Sequence, residues 1–372
     1  MAKKSFLILG HPLVVDANRT VWNEMAKLPD VEVDLVVPSK WKSNLIKHLQ
    51  FKTNSETDSH LRHIYPLSVL CAGKASFFFF NPIRLWSILR KNKYDGILLT
   101  QETWSLALAS LQLIRFFSSN RHTRMFLWVC QNIKKEKLKW LWPFERLITK
   151  NLNSIMGCCH ETEMVHEWKG LNPPSRYLPF SFDPQLFKPH SEASSHFRLG
   201  FMGRISEEKG IQILLKAFNE LRLQYTHLEL VIAGDGPMRA ELEKCDGVRY
   251  LGLLPHQKAF EFFHHIDMFI LPSLTKPFWK EQFGRVLIES AASKVLVAGS
   301  SSGAIPEVLE QLQSPFCFQE GEVSALKDVI VKAINLSSSE RQQILEKCYQ
   351  SASERFSHQA VAKLAYKIMV DQ

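Results

Sequence analysis

No run of eighteen apolar residues occurs in this 372-residue chain, and Lys74 breaks the segment that ends in Phe77 to Phe80. That excludes an ordinary membrane-spanning helix. The seven cysteines include no Cys-x2-Cys pair; only Cys158 and Cys159 are adjacent, an arrangement that suits neither a bridge nor a metal cage. No Asp-x-Asp set stands out as a metal-ligand group. The start, Ala2-Lys3-Lys4 followed by Phe6 to His11, has too short an apolar part for a signal peptide and reads as a first strand. No recognised nucleic-acid module is present, so nucleic acid is not an expected partner. A reducing cytoplasm is the expected home, with peripheral attachment to the inner face of the membrane as an option.

What is present is an ordinary globular composition, 45% hydrophobic and 22% charged. The length exceeds one core and suits two α/β domains. Charge is uneven: through residue 190 there are 26 Lys and Arg against 15 Asp and Glu, while the remainder has 20 against 22. The densest basic patch is Lys134, Lys135, Lys137 and Lys139, leading into Trp140-Leu141-Trp142-Pro143-Phe144, with Arg146 and Lys150 beyond. Residues 133–150 fit an anionic membrane surface, helped by the apolar Phe77 to Phe80, and fit equally a solvated helix whose aromatics pack inward.

Candidate chemistry is concentrated around two carboxylates, Glu281 and Glu289, eight positions apart about Phe283-Gly284-Arg285. The preceding run Asp267 to Ser273 reads as a buried strand with a proline stop, and Val286 to Ala292 as a helix. Eight helical positions span roughly 12 Å at about 1.5 Å per residue. Glycoside hydrolases place both carboxyls closer, about 5 to 9.5 Å, because both act at one anomeric carbon. The wider spacing suits two hydroxyl-binding tasks with the helix N-terminus and the Phe283 and Gly284 amides facing a diphosphate between them. Two dipole-favoured, solvated glutamates are the bland alternative. Arg204 follows an apolar strand, and Lys209 precedes Gly210 at the entry of a helix carrying Ile211, Leu214, Leu215 and Phe218 at helical spacing. Such a pair can clamp a diphosphate or can be two surface charges.

From Phe201 to Glu307 the chain resembles, block after block, the donor half of a retaining family 4 glycosyltransferase of the GT-B fold. The blocks are Gly203-Arg204 through Lys209-Gly210, Val231 to Pro237 with Gly234, Val248 to Gly252, Phe269 to Ser273, and Glu281 to Glu289. The resemblance implies an α/β GT-B fold of two Rossmann-like doubly wound domains facing a cleft. It also implies transfer of a sugar from a nucleotide-diphosphate-sugar to a hydroxyl of a glycan or lipid-linked acceptor with retention of configuration. Arg204, Lys209 and Glu281 would be catalytic, and Gly203, Gly234, Phe283, Gly284, Arg285 and Glu289 would bind the donor. No cofactor or metal is implied. Two positions depart from the pattern: Lys294 stands where a glycine is expected and Leu296 where a proline is.

The first half reads as a second doubly wound unit, with strands at Phe6 to Gly10, Val31 to Pro38, Gly96 to Thr100 and Met125 to Cys130, and helices around Val21 to Leu28, Ile83 to Arg90 and Leu106 to Phe117. Ligands of such sheets gather at the strands' carboxyl ends, which places His11, Glu102, Gln131 and Asn132 in the cleft or acceptor site. Asn18-Arg19, Glu102 with Trp104 to Leu106, and Gln131-Asn132 resemble a bacterial branch of the family that builds surface polysaccharides or lipid-linked glycans. Here His11-Pro12-Leu13 replaces a Gly-Gly turn, and Gln131 stands where many members carry a histidine; an amide cannot act as a base. The expected domains are 1–185 and 186–355, separated by a proline-bearing, linker-like stretch through Ser191 to Ser195, with a helix over 356–372 returning to the first domain. A nucleotide-sugar epimerase of the same fold and a non-catalytic scaffold on anionic membranes are the competing readings.

Overall fold

The structure is a computed structural model that describes residues 3–42, 49–189, 196–242, 245–255 and 258–371. It divides into two compact units, residues 1–179 with 358–372, and residues 180–357. The division therefore falls at Pro179, a few residues before the boundary at 185 read from the sequence, because Phe180 and Phe182 join the core of the second unit. The linker-like stretch Ser191 to Ser195 lies outside the described residues.

In the first unit seven strands form one parallel sheet: β1 (Lys4–Gly10), β2 (Val31–Pro38), β3 (His63–Leu67), β4 (Gly96–Thr100), β5 (Arg124–Val129), β6 (Ser154–Gly157) and β7 (Ser175–Tyr177). Their spatial order is β7-β6-β5-β4-β1-β2-β3. Strand β4 is buried at every residue, as a parallel sheet covered on both faces requires. Strand β3 carries Pro66 and is an edge, where a missing amide is tolerated. Around the sheet lie α1 (Thr20–Ala26), α2 (Pro82–Lys91), α3 (Leu106–Phe116), α4 (Trp142–Thr149) and α5 (His160–Lys169). The C-terminal helix His358–Val370 belongs to this unit: Val361, Ala362, Ala365, Ile368 and Met369 share a core with Phe6, Ile8 and Trp22, and the Arg124 guanidinium donates to the Val370 carbonyl at 3.0 Å.

The second unit repeats the plan with six parallel strands: β8 (Phe197–Met202), β9 (Leu228–Ala233), β10 (Val248–Tyr250), β11 (Met268–Leu271), β12 (Leu296–Ser300) and β13 (Phe316–Phe318). The order is β10-β9-β8-β11-β12-β13. In both sheets the chain builds outward from its first strand to one side, then returns to build on the other. The crevice beside that strand, at the carboxyl ends, is the switch point where ligands of such sheets bind. Lys294, which stands in place of an expected glycine between α6 (Arg285–Ala292) and β12, holds a left-handed φ of 54°. Its ammonium is tied to Glu346 at 2.7 Å and lies 5.0 Å from the Tyr349 ring, contacts that offset the strain a side chain meets there.

The run after β1 forms two short 3-10 turns, His11–Val14 and Asp16–Asn18, in place of a glycine turn. They are pinned by Arg19, which is completely buried. Its guanidinium donates to both carboxylate oxygens of Asp58, at 2.7 and 3.1 Å, and to the Leu13 and Lys52 carbonyls at 3.0 and 2.9 Å. The buried fork is fully satisfied, so removing it strands the Asp58 charge. Arg19→Ala is expected to lower unfolding stability by about 3–5 kcal/mol. Arg19→Lys, which keeps the charge without the fork, should lose less, and urea midpoints of the two variants test the order.

Candidate active site

In the second unit Gly203 and Arg204 follow β8, Gly234 follows β9, and Pro272 and Ser273 follow β11. A Cβ on Gly234, whose φ is 134°, would run into the Gly203 carbonyl, so the two loops approach as closely as backbones can. Lys209 ends a 3-10 turn (Glu207–Lys209) and reaches Glu281: its ammonium donates to Oε2 at 2.6 Å and stands 5.1 Å from the Trp279 ring centroid. The Ser273 hydroxyl donates to the same Oε2 at 2.9 Å. Glu281 is almost entirely buried, and its negative charge is compensated by a charge-assisted pair and a hydroxyl. Arg204 is exposed; burial raises the nearby Glu208 carboxyl, but its own backbone amide, the Ser206 side chain and then the Arg204 and Lys209 charges bring it below the usual range.

The helix α6 starts behind Gly284, whose φ of 78° suits glycine and whose Cβ position is filled by Leu271 and Leu287. No side chain caps this helix, and the positive end of its dipole there favours an anion. Phe283 is core rather than surface: its ring packs on Phe180 and Phe356 at 5.4 and 5.8 Å. Arg285 lies 5.0 Å from the Phe180 ring. Glu289, one turn further, is 4% exposed. Burial pushes its carboxyl up to about 7, with the Arg285 charge pulling the other way.

In the first unit the corresponding ends carry His11, Gln101 with Glu102, and Gln131 with Asn132. The His11 Nδ1 and the Gln101 amide nitrogen are 2.9 Å apart across the β1–β4 crevice. Burial holds the imidazole down at about 4, so it is neutral near pH 7, packed on Trp41 and Phe78. Glu102 is enclosed and its carboxyl is raised by that burial; the Cys130 amide donates to Oε1 at 3.2 Å, while Oε2 has no partner. Gln131 turns onto the Ile133 carbonyl at 3.3 Å and Asn132 onto Glu161 at 3.0 Å. Thus His11 and Glu102 lie at adjoining strand ends, whereas the Gln131 and Asn132 side chains are engaged locally.

Several groups here were not singled out from the sequence. Ser273 carried one signal, being the first polar residue after a buried strand; Trp279 carried another, an aromatic between Lys276 and Lys280. Lys169, buried against Glu145 at 2.7 Å and 4.6 Å from the Trp104 ring, carried none. Residues 133–150 are part interior and part surface: Glu145 is buried, Trp142 packs on Trp168 at 4.7 Å, and Lys135 and Lys139 lie over the Trp104, Trp142 and Trp168 rings, while Lys134, Lys137 and Trp140 are exposed. Phe78 and Phe80 are likewise core, leaving Phe77 exposed. Among the described residues no cluster of His, Cys, Asp and Glu has the makings of a metal site, and no helix is long and apolar enough to cross a membrane.

The Glu289 geometry has a pH signature. Below about pH 4.5 its carboxyl is protonated folded and unfolded alike. Between 4.5 and 7 the unfolded chain loses the proton and the folded chain keeps it, so this group progressively removes stability as pH rises; above 7 the full penalty persists. Glu289→Gln should therefore match the parent near pH 4.5 and exceed it above pH 7 by up to about 3 kcal/mol, read from denaturation curves at both pH values.

Residues 183–351 match the family described as "Glycosyl transferases group 1". Among curated relatives, the 2-deoxystreptamine N-acetyl-D-glucosaminyltransferase of Niallia circulans is 28% identical over 172 residues, covering 44% of this chain and 43% of the relative. The lipopolysaccharide 1,2-N-acetylglucosaminetransferase of Salmonella typhimurium is 31% identical over 180 residues, covering 44% and 45%. The chain spans less than half the length of these relatives. Among solved structures, Anabaena HepE in complex with UDP and glucose superimposes with a TM-score of 0.69 at 15% identity, covering 99% of both chains. The chain has the GT-B fold, and its residues 183–351 form a glycosyl transferases group 1 domain.

Proposed function

We propose that this chain transfers a sugar from a nucleotide-diphosphate-sugar to a hydroxyl of a glycan or lipid-linked acceptor, with retention at the anomeric carbon. The observation that carries the reading is the Lys209–Glu281–Ser273 cluster set beside the uncapped start of α6, at the switch point of the second sheet. Anion-binding amides, a mobile ammonium and a carboxylate in one crevice are the parts that hold a diphosphate next to a polyol. The retention follows the family resemblance.

In this reading the bond between C1 of the sugar and the β-phosphate oxygen breaks, the acceptor oxygen bonds to C1 on the same face, and the acceptor's hydroxyl proton passes to the departing diphosphate. Negative charge gathers on the departing diphosphate, where Arg204, Lys209 and the α6 amides stabilise it without a divalent ion. Lys209 is pre-positioned by its pairing with Glu281, so the carboxylate acts both on the sugar hydroxyls and on the lysine's placement. Glu289, ionised once the vicinal ribose hydroxyls donate to it, anchors the nucleoside. His11 and Glu102 belong to the acceptor side. UDP-N-acetylglucosamine heads the donors to test, because both relatives are named for N-acetylglucosamine transfer and the Anabaena structure contains UDP.

Thermal-shift measurements with UDP-, GDP-, ADP- and CDP-sugars should show stabilisation by one nucleotide class, about 2.7 kcal/mol at a hundredfold excess over Kd. The shift should be lost in Arg204→Ala. Glu281→Ala should reduce transfer about 100-fold or more. Full transfer by that variant, or no shift with any nucleotide, would sink this assignment.

A further inference from the structure

Six large exposed apolar side chains of the first unit, Ile83, Leu106, Leu113, Phe116, Phe117 and Leu147, lie on or beside elements that are neighbours. Helix α3 buries Ala107, Leu108, Leu111 and Ile114, yet Leu106, Leu113 and Phe116 are exposed along its opposite stripe, with Phe117 just past its end. Leu113, Phe116 and Phe117 are each more than half exposed. On one flank, α2 exposes Ile83 and its Trp86 indole donates to the Phe117 carbonyl at 2.7 Å. On the other, α4 exposes Leu147, and the Gln112 amide of α3 donates to the Ile148 carbonyl at 3.0 Å.

The display is held firmly. Arg115 donates to the carbonyls of Arg121 and Thr123 at 3.0 and 2.7 Å, and the Ser119 hydroxyl to that of Leu89 at 2.7 Å. These bonds fix the turn that presents the two phenylalanines. A cluster of exposed apolar side chains on neighbouring helices marks an interaction site.

Charge identifies the partner. From Ser59 to Lys150 there are 15 Lys and Arg but four acids, Asp95, Glu102, Glu136 and Glu145. Glu102 is enclosed and Glu145 buried. Neither α2 nor α3 contains an acid, while Arg84, Arg90 and Arg121 are exposed beside the apolar stripe. Apolar side chains framed by cations, with no acid among them, match a bilayer whose headgroups are anionic. We propose that the face made by α2, α3 and α4 docks on an anionic bilayer, with Ile83, Leu113, Phe116 and Phe117 entering the headgroup layer and Arg84, Arg90 and Arg121 on the lipid phosphates. The docking face is assigned to α2 to α4 because the exposed apolar side chains cluster there; Arg90 and Arg121 lie 5.1 and 5.8 Å from the Trp86 and Phe116 rings and are still exposed. The inference goes beyond the transfer reaction and does not rest on it.

Co-sedimentation of the full chain with phosphatidylcholine vesicles, neutral or containing about one third phosphatidylglycerol, tests it. Binding is expected on the anionic vesicles and should be at least about tenfold weaker on neutral ones and at high salt. Leu113→Glu with Phe116→Glu should lower it about tenfold or more without shifting Tm, and so should Arg84→Glu with Arg121→Glu, a pair that keeps the apolar stripe. Absence of binding by the parent chain, equal binding to neutral vesicles, or undiminished binding by both double variants overturns the proposal. So does light scattering that shows a dimer dispersed by Leu113→Glu with Phe116→Glu, which would assign the face to a second copy.

Discussion

Parallel pairing of the first strand of each unit with partners on both sides is the constraint from which the rest follows. Parallel neighbours cannot be joined by a tight turn, so each step needs a crossover, and crossovers of one hand cover one face of the sheet. When the chain has paired β1 with β2 and then moves to β4, or β8 with β9 and then to β11, successive crossovers cover opposite faces. The loops leaving the two central strands must diverge. That divergence leaves the crevice in which Lys209, Ser273 and Glu281 meet, and the one where His11 meets Gln101.

The strands that build this frame were largely legible because their burial is continuous. Gly96–Thr100 is an apolar run of the right length, and Val31–Pro38 keeps apolar residues at the alternate positions Val31, Val33, Leu35 and Val37 around Glu32 and Asp34. Ser154–Gly157 and Ser175–Tyr177 were not legible; they are short, open on serine, and are strands because β5 offers a row of unpaired groups to β6 and β6 to β7. The segment Phe77 to Phe80 shows the reverse failing. Read as an apolar run it pointed outward, whereas the alternation that buries Phe78 and Phe80 is the period of a strand, and the structure pairs Phe79–Phe80 with Val69–Leu70.

The site was legible in its residues but not in its bonds. Spacing and family resemblance single out Lys209 and Glu281, yet their pairing joins positions 72 apart in the chain and depends on two strand ends being neighbours. Local sequence holds no record of such adjacency. The same holds for Lys169 and Glu145, whose buried pair beneath Trp104 turns a stretch that reads as surface charge into partly interior structure. The charge asymmetry between the halves was visible at once, but only exposure, residue by residue, tells which cations lie beside the exposed apolar stripe.

Glu289 offers a last consequence. A carboxyl poised at about 7 is shared between protonated and ionised molecules at neutral pH. Any ligand that requires the ionised form must expel the remaining protons as it enters, and the solvent buffer takes them up. Its binding heat then includes the buffer's own ionisation heat, and its apparent affinity climbs with pH until the carboxyl is already ionised. The proposed nucleotide site would in this way report the acidity of its surroundings through a residue that is almost wholly buried.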